Sequence, residues 1–231
     1  MADTGVYLDH NATTPVDPAV FAAMTPYLGA EFGNPSSLYP LGRRARTAVE
    51  TAREQVAALI GAAPDEVIFT SGGTESSNYA IRGAAALAAP ERRKIVLTTV
   101  EHPATANPCR RLAEKGFTLA RLAVGADGRA DPAAAQTLID RTTALATIIH
   151  AQNEVGTLQP VAEIAAAARN GGALIHADAA QSLGKVPVNV EALGVDLLTV
   201  AGHKLYAPKG VGALYVRRGV RLAPLTDGAG Q

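Results

Sequence analysis

Val195-Asp196-Leu197-Leu198-Thr199-Val200-Ala201-Gly202-His203-Lys204-Leu205-Tyr206-Ala207-Pro208-Lys209-Gly210-Val211-Gly212 is the stretch on which the reading of this chain turns. Its first six residues form an apolar run of the length of a buried strand. Glycine and proline then interrupt regular structure, so Lys204 is expected on a turn just past the strand end. A lysine without context is a solvated surface residue. This one enters a crowded loop beside His203. An amine that attacks an aldehyde needs such a partly desolvated, polar setting to lower its pKa. If that is the task of Lys204, other strand-end loops must supply an anion cradle and a carboxylate.

Strands and helices alternate through the rest of the chain. Ala45, Val49, Ala52, Val56 and Leu59 recur at three- and four-residue spacing, which predicts a helix over 42–60 ended by Gly61. Asp17-Pro18 starts an earlier helix, with proline suited to its first position. Arg43, Arg44, Arg46 and Arg53 read as the solvated face of the longer helix, and residues 31–40 read as loop. Strands are expected over 6–8, 66–69, 95–98, 118–122, 145–149, 173–176 and 195–200. Further helices are expected from the Gly72-Gly73-Thr74 turn to about Leu87 and over 104–115, 132–141 and 161–169. This order predicts a three-layer α/β fold, a mainly parallel sheet with helices on both faces. Right-handed crossovers then gather the loops at the strand C-terminal ends along one edge.

Five of those loops carry polar groups. Gly72-Gly73-Thr74 lies between a strand and a helix, where backbone N–H groups and the helix dipole favour a phosphate. Alone it is equally an ordinary turn and N-cap. His102 follows a strand; it can stack on a flat ring and handle protons, or serve as a hydrogen-bonded structural residue. Asn153 can donate to a ring hydroxyl or a carboxylate, or simply form a turn. Asp178 closes an apolar strand, where a carboxylate is costly without a cationic partner or a cap to make. A protonated pyridine nitrogen is such a partner, and Gln181 three residues on can bond the ring oxygen. With Lys204 these loops specify a pyridoxal 5′-phosphate site far better than any one of them does.

Composition narrows the classes. Lys plus Arg and Asp plus Glu number 21 each in 231 residues, so no charge excess points to nucleic acid or an anionic membrane. No apolar run is long enough to span a bilayer, and residues 1–5 show no secretory signal. The single Cys109 rules out an intramolecular disulfide framework and fits a reducing cytosol. No metal-ligand spacing is found.

Together these segments resemble the cysteine desulfurases of the class V (fold type I) aminotransferase group. The likeness runs from Tyr7-Leu8-Asp9-His10-Asn11-Ala12-Thr13-Thr14-Pro15 through Phe69-Thr70-Ser71-Gly72-Gly73-Thr74-Glu75-Ser76. It continues in Asn153-Glu154-Val155-Gly156 and His176-Ala177-Asp178-Ala179-Ala180-Gln181-Ser182 to the lysine loop. It implies a cofactor-binding large domain over 15–231, with residues 1–14 belonging to a small domain. By the same resemblance Lys204 is the Schiff-base lysine, Asp178 pairs with the pyridine nitrogen, and His102 stacks on the ring and shares in proton transfer. Gln181 and Asn153 hold ring and substrate; Gly73, Thr74 and His203 bind phosphate. The implied reaction converts L-cysteine to L-alanine in the cytoplasm. Sulfur passes as a persulfide to an acceptor protein for iron–sulfur cluster assembly or tRNA thiolation, and the full-length protein is a homodimer.

Two departures qualify this. Ala201 stands where many members carry a phosphate-binding serine. The glycine-rich segment 226–231 looks like one that in the family runs on into further chain, so the expectation is that these residues lack a C-terminal part. That part would carry a phosphate-binding threonine, a carboxylate-binding arginine and the nucleophilic cysteine. Cys109, inside a predicted helix, reads as structural. A selenocysteine lyase and a catalytically silent partner or scaffold are the alternative readings.

Overall fold

A computed structural model describes residues 5–228. Its elements in chain order are α1 (Pro18–Met24), α2 (Pro40–Ile60), β1 (Val67–Thr70), α3 (Gly73–Ala86), β2 (Lys94–Thr98), α4 (Pro103–Ala113) and β3 (Thr118–Leu122). There follow α5 (Pro132–Leu138), β4 (Thr143–Ile149), α6 (Val161–Gly171), β5 (Leu174–Asp178), α7 (Val190–Leu193), β6 (Leu197–Ala201) and β7 (Gly212–Val216). Proline at the first turn opens α1, α2, α4 and α5, where its fixed φ fits and its missing N–H costs nothing. Gly61, with φ 71°, closes α2 in the left-handed conformation and returns its N–H to the last turn.

The strands form one sheet in the order β1-β7-β6-β5-β4-β2-β3. Neighbours from β6 to β3 are parallel, while β7 runs antiparallel to both β1 and β6. Side chains alternate across the sheet. Val96, Ile148, Ile175, Leu198 and Tyr215 pack on one face in a buried cluster with residues of α2, α5 and α6. Ile95, Leu145, Leu197 and Leu214 pack on the other with residues of α3 and α4. The result is the three-layer, mainly parallel α/β architecture.

Within the second face lies a polar seam. His176 of β5 bonds through Nδ1 to the Thr147 hydroxyl of β4 at 2.8 Å and through Nε2 to the Thr199 hydroxyl of β6 at 2.9 Å. Thr199 in turn meets the Ser77 hydroxyl of α3 at 3.1 Å. All four residues are fully enclosed, and burial pushes the imidazole down to about 3, so it stays neutral. The seam fixes β4, β5, β6 and α3 relative to each other just below the sheet edge.

Two readings need correction. Residues 6–8 are not a strand: Val6 and Leu8 are each 85% exposed, and no ladder pairs them among the described residues. The sheet edges are β1 and β3, and the hydrogen bonds of residues 11–17 draw the N-terminal segment to the lysine loop instead. Conversely, β7 was hidden in the glycine-bounded run after Lys204. Residues 1–4 of the expected N-terminal segment, and 229–231 of the glycine-rich one, lie outside the described residues. No helix among the described residues is long and apolar enough to cross a membrane.

Replacing Thr147 by valine leaves His176 Nδ1 without its partner in a dry interior. Urea unfolding should show a loss of about 1–3 kcal/mol, whereas Thr137→Val on exposed α5 should change little.

Candidate active site

Strand ends deliver the candidate residues to one edge. A cavity of about 810 Å³ there is lined by Gly73, Thr74, His102, Asn153, Asp178, Gln181, His203 and Lys204, together with residues of the N-terminal segment. Every sequence-derived candidate therefore meets in one place.

Lys204 ends a 3-10 turn, Gly202–Lys204, that continues β6. Its Nζ donates to the backbone carbonyls of Asn11 and, at 2.9 Å, Ala12. Partial burial and the ammonium of Lys185 hold its pKa below the ordinary lysine value, while Asp9 and Asp178 oppose them. More of the amine is neutral at a given pH than in water, which is what a nucleophile needs. The lysine loop itself is pinned by the N-terminal segment. The Thr14 N–H and hydroxyl both donate to the His203 carbonyl, at 3.0 and 2.9 Å. The Thr14 hydroxyl also accepts from the Tyr206 N–H at 2.9 Å, and His203 Nδ1 lies 3.1 Å from the Thr13 hydroxyl. Tyr206 has φ 59°, a conformation that a bulky residue adopts only where its surroundings impose it.

Asp178 is 4% exposed. Its Oδ1 accepts from the Ala180 N–H at 3.0 Å, and its Oδ2 has only a long 3.4 Å contact from the Thr105 hydroxyl. Burial raises its pKa, against the Ala180 bond, the Thr105 hydroxyl and the Lys204 charge. An enclosed carboxylate at a cavity wall, with no ion pair among the described residues, suits a protonated ring nitrogen. The fit to pyridoxal phosphate extends to the cradle. Gly72, at φ 150° and ψ −177°, adopts a backbone essentially restricted to glycine and turns the chain into α3. Gly212 of β7 lets that turn approach: a Cβ there would come within 2.7 Å of the Gly72 Cα. The first-turn N–H groups of α3 and the Thr74 side chain are thereby set at the cavity wall, where an anion is favoured.

His102 caps α4: its Nδ1 accepts from the Ala104 N–H at 3.1 Å, which leaves Nε2 to carry the neutral ring's proton. His102 is thus a hydrogen-bonded cap that also lines the cavity. Gln181 donates through Nε2 to the Asn11 carbonyl at 2.8 Å, and the Asn153 carbonyl accepts from Asn11 Nδ2 at 3.2 Å. Sequence reasoning assigned no role to Asn11, Lys185 or Glu101. For Asn11 the signal was there, a dense polar run 9–14 too rich in Asp, Asn and Thr for an idle terminus. Cys109 is fully buried in α4, and burial pushes its thiol up to about 12, so it is not a nucleophile.

The class-V aminotransferase family description matches residues 6–231. A cysteine desulfurase of Nostoc sp. is 51% identical over 226 residues, which are 98% of this chain and 56% of that protein. The solved structure of a NifS-like protein superposes with TM-score 0.95 at 38% identity, over 98% of this chain and 62% of the other. The structure of SspA in complex with cysteine matches with the same TM-score and identity, over 98% and 66%. The chain thus spans little more than half the length of the curated relative.

Glu101 sits under this edge. Its Oε1 accepts from the Thr98 hydroxyl at 2.6 Å and the Ile149 N–H at 2.8 Å, tying β2 to β4, and Oε2 is enclosed with no hydrogen-bond partner among the described residues. Burial pushes the carboxyl up from 4.5 to about 8 despite those two bonds. Because the folded state holds this proton more tightly, Glu101's contribution to stability is full below pH 4.5 and is lost as pH rises to about 8. Glu101→Gln, which mimics the neutral acid, should become progressively more stable than the parent across that window, by up to about 1.4 kcal/mol per pH unit. Unfolding midpoints of the two proteins from pH 4.5 to 9 check this; parallel curves would contradict it.

Proposed function

The chain belongs to the class-V aminotransferase family, whose cofactor is pyridoxal 5′-phosphate, and from this we propose that it is the cofactor-binding region of a cysteine desulfurase. Residues 15–231 form its large domain, and residues 1–14 go with a small domain. The observation that carries this reading is the convergence of Lys204, Asp178, Gln181, Asn153, His102 and the Gly73-Thr74 turn on one cavity. The desulfurase relatives, and the cysteine in the SspA complex, support the choice of substrate.

When bound, the cofactor supplies an electron sink for negative charge at the α-carbon of an amino acid. Asp178 holds the ring nitrogen protonated, the form in which that sink is strongest. Lys204 would hold the cofactor through its amine, and Lys204 and His102 would be the groups that move the substrate's α-proton. Gly73, Thr74 and His203 hold the phosphate, Gln181 donates to the ring oxygen, and Asn153 holds ring and substrate. In the overall reaction the C–S bond of L-cysteine breaks and sulfur passes to a thiolate. The electron pair stays with the carbon skeleton, which takes up a proton and leaves as L-alanine; the thiolate becomes a persulfide. Cys109 cannot be that thiolate, so another cysteine of the whole protein supplies it. The persulfide passes to an acceptor protein. The whole protein is a cytoplasmic homodimer, in keeping with the exposed Phe21, Leu28, Phe32 and Leu38 around α1, a helix that buries none of its own residues.

Addition of pyridoxal phosphate should give a visible absorption band, and borohydride should fix the label on Lys204. Lys204→Ala should show neither, and a folded parent chain without a band would sink the cofactor reading. For the full-length protein, L-cysteine should yield alanine and persulfide in equal amounts. Alanine from selenocysteine alone would replace desulfurase by selenocysteine lyase.

Ala201 offers a second check. It lines the cavity next to the cradle, 3.2 Å from where a Gly73 Cβ would stand. Ala201→Ser adds a hydroxyl at that wall, and spectroscopic titration should find pyridoxal phosphate bound several-fold more tightly, about 1 kcal/mol.

A further inference from the structure

Lys185 belongs to the loop after β5 but is not among the residues that line the cavity, and the mechanism above does not use it. Its ammonium donates to Gln181 Oε1 at 2.8 Å and to Asn11 Oδ1 at 3.3 Å. An ammonium has three donors and no acceptor, so it can hold only the oxygen end of each amide. Both amides are thereby oriented. Gln181 turns its Nε2 away from Lys185 to the Asn11 carbonyl, and Asn11 turns its Nδ2 to the Asn153 carbonyl. That same Asn11 carbonyl also accepts from the Lys204 amine, so its two lone pairs are shared by Gln181 and Lys204. A phenolic ring oxygen needs a donor from Gln181; with its amide reversed, Gln181 would offer it a second oxygen.

We propose that Lys185 is a positioning residue of this site, fixing the Gln181 and Asn11 amides so that an N–H faces the ring oxygen and a carbonyl holds the Lys204 amine. This rests on the cofactor reading given above. The charge acts in the same direction: Lys185 lowers the pKa of Lys204, while Asp9 and Asp178 are the anions that oppose it, and Glu75, His102, Glu154, His203 and Lys209 are the other titratable groups that line the cavity. Lys185 is itself exposed, so its replacement leaves the core intact.

The test compares the parent with Lys185→Met, Lys185→Arg, Gln181→Met and the double variant Lys185→Met/Gln181→Met. Pyridoxal phosphate affinity is read from the visible band. In separate samples without cofactor, the pH profile of Lys204 reductive methylation is read by peptide mapping. Lys185→Met should bind the cofactor about threefold or more weakly and shift the Lys204 methylation midpoint upward. Lys185→Arg, donor-only and charged like lysine, should stay near the parent in both. In the Gln181→Met background, Lys185→Met should cost less affinity than it does in the parent. An unchanged Lys185→Met, or an undiminished affinity loss in the double variant, overturns the proposal. If the parent itself takes up no cofactor, the reading under the previous heading fails. The methylation profile then decides Lys185 alone: an unmoved midpoint in Lys185→Met overturns its role, and an upward shift reversed by arginine upholds it.

Discussion

The end of β5 carries a carboxylate, Asp178, into a place where its charge is poorly paid for: one good hydrogen bond, one long one, and no ion pair among the described residues. A buried ionised group in that condition is expensive, and folds keep such groups where a ligand completes them. The architecture around it follows from that expense. Parallel strands with helical crossovers bring β2, β4, β5 and β6 to the same edge, so Glu101-His102, Asn153, Asp178 and Lys204 arrive there from distant sequence without any long loop. In the seam of Thr147, His176, Thr199 and Ser77, His176 and its register partner Thr147 lie one strand repeat below Asp178, and Thr199 lies opposite it. The seam locks the strands whose ends must keep register, and it couples them to α3, whose first turn forms the cradle.

A second constraint is the path of the N-terminal segment. Lys204 projects from a short turn that contributes little hydrogen bonding of its own, and it is held by residues more than 190 positions earlier. Thr14 does most of this, taking the His203 carbonyl and the Tyr206 N–H together, and it is itself 2% exposed. The left-handed Tyr206 is tolerable because both of its backbone groups are tied: the N–H to Thr14 and the carbonyl to the Asp17 N–H. The site is thus closed from two ends of the chain, and cooperative loss of either end should release the lysine.

These two constraints explain what could be read from the sequence. Periodicity and punctuation reach as far as neighbouring residues in one element, so the 42–60 helix and the apolar strands were plain. The candidate site residues were plain as well, because each follows a strand and the strand ends share an edge. Other features depend on pairing between distant segments. Whether 6–8 forms a strand depends on a free sheet edge, which no local pattern records. Strand β7 is only five residues and sits between glycines, where punctuation argued for loop. Glu101 and Lys185 were given no role because the groups they hold, Ile149, Asn11 and Gln181, are set by the tertiary fold.

Ala201 shows how closely the two halves of the site are fitted. The cradle turn approaches the sheet because Gly73 and Gly212 have no side chains to keep it away; a Cβ on Gly212 would meet the Val200 carbonyl at 2.6 Å. The wall nearest Gly73 is the Ala201 methyl, a small group at the last residue of the strand that leads into Lys204. The phosphate cradle and the lysine therefore share one strand end, and the position of either is set by the same pairing of β6 with β7. A side chain larger than serine at 201 would push the turn outward and tilt the lysine loop with it, so anchoring of the phosphate and aim of the amine are one packing problem rather than two.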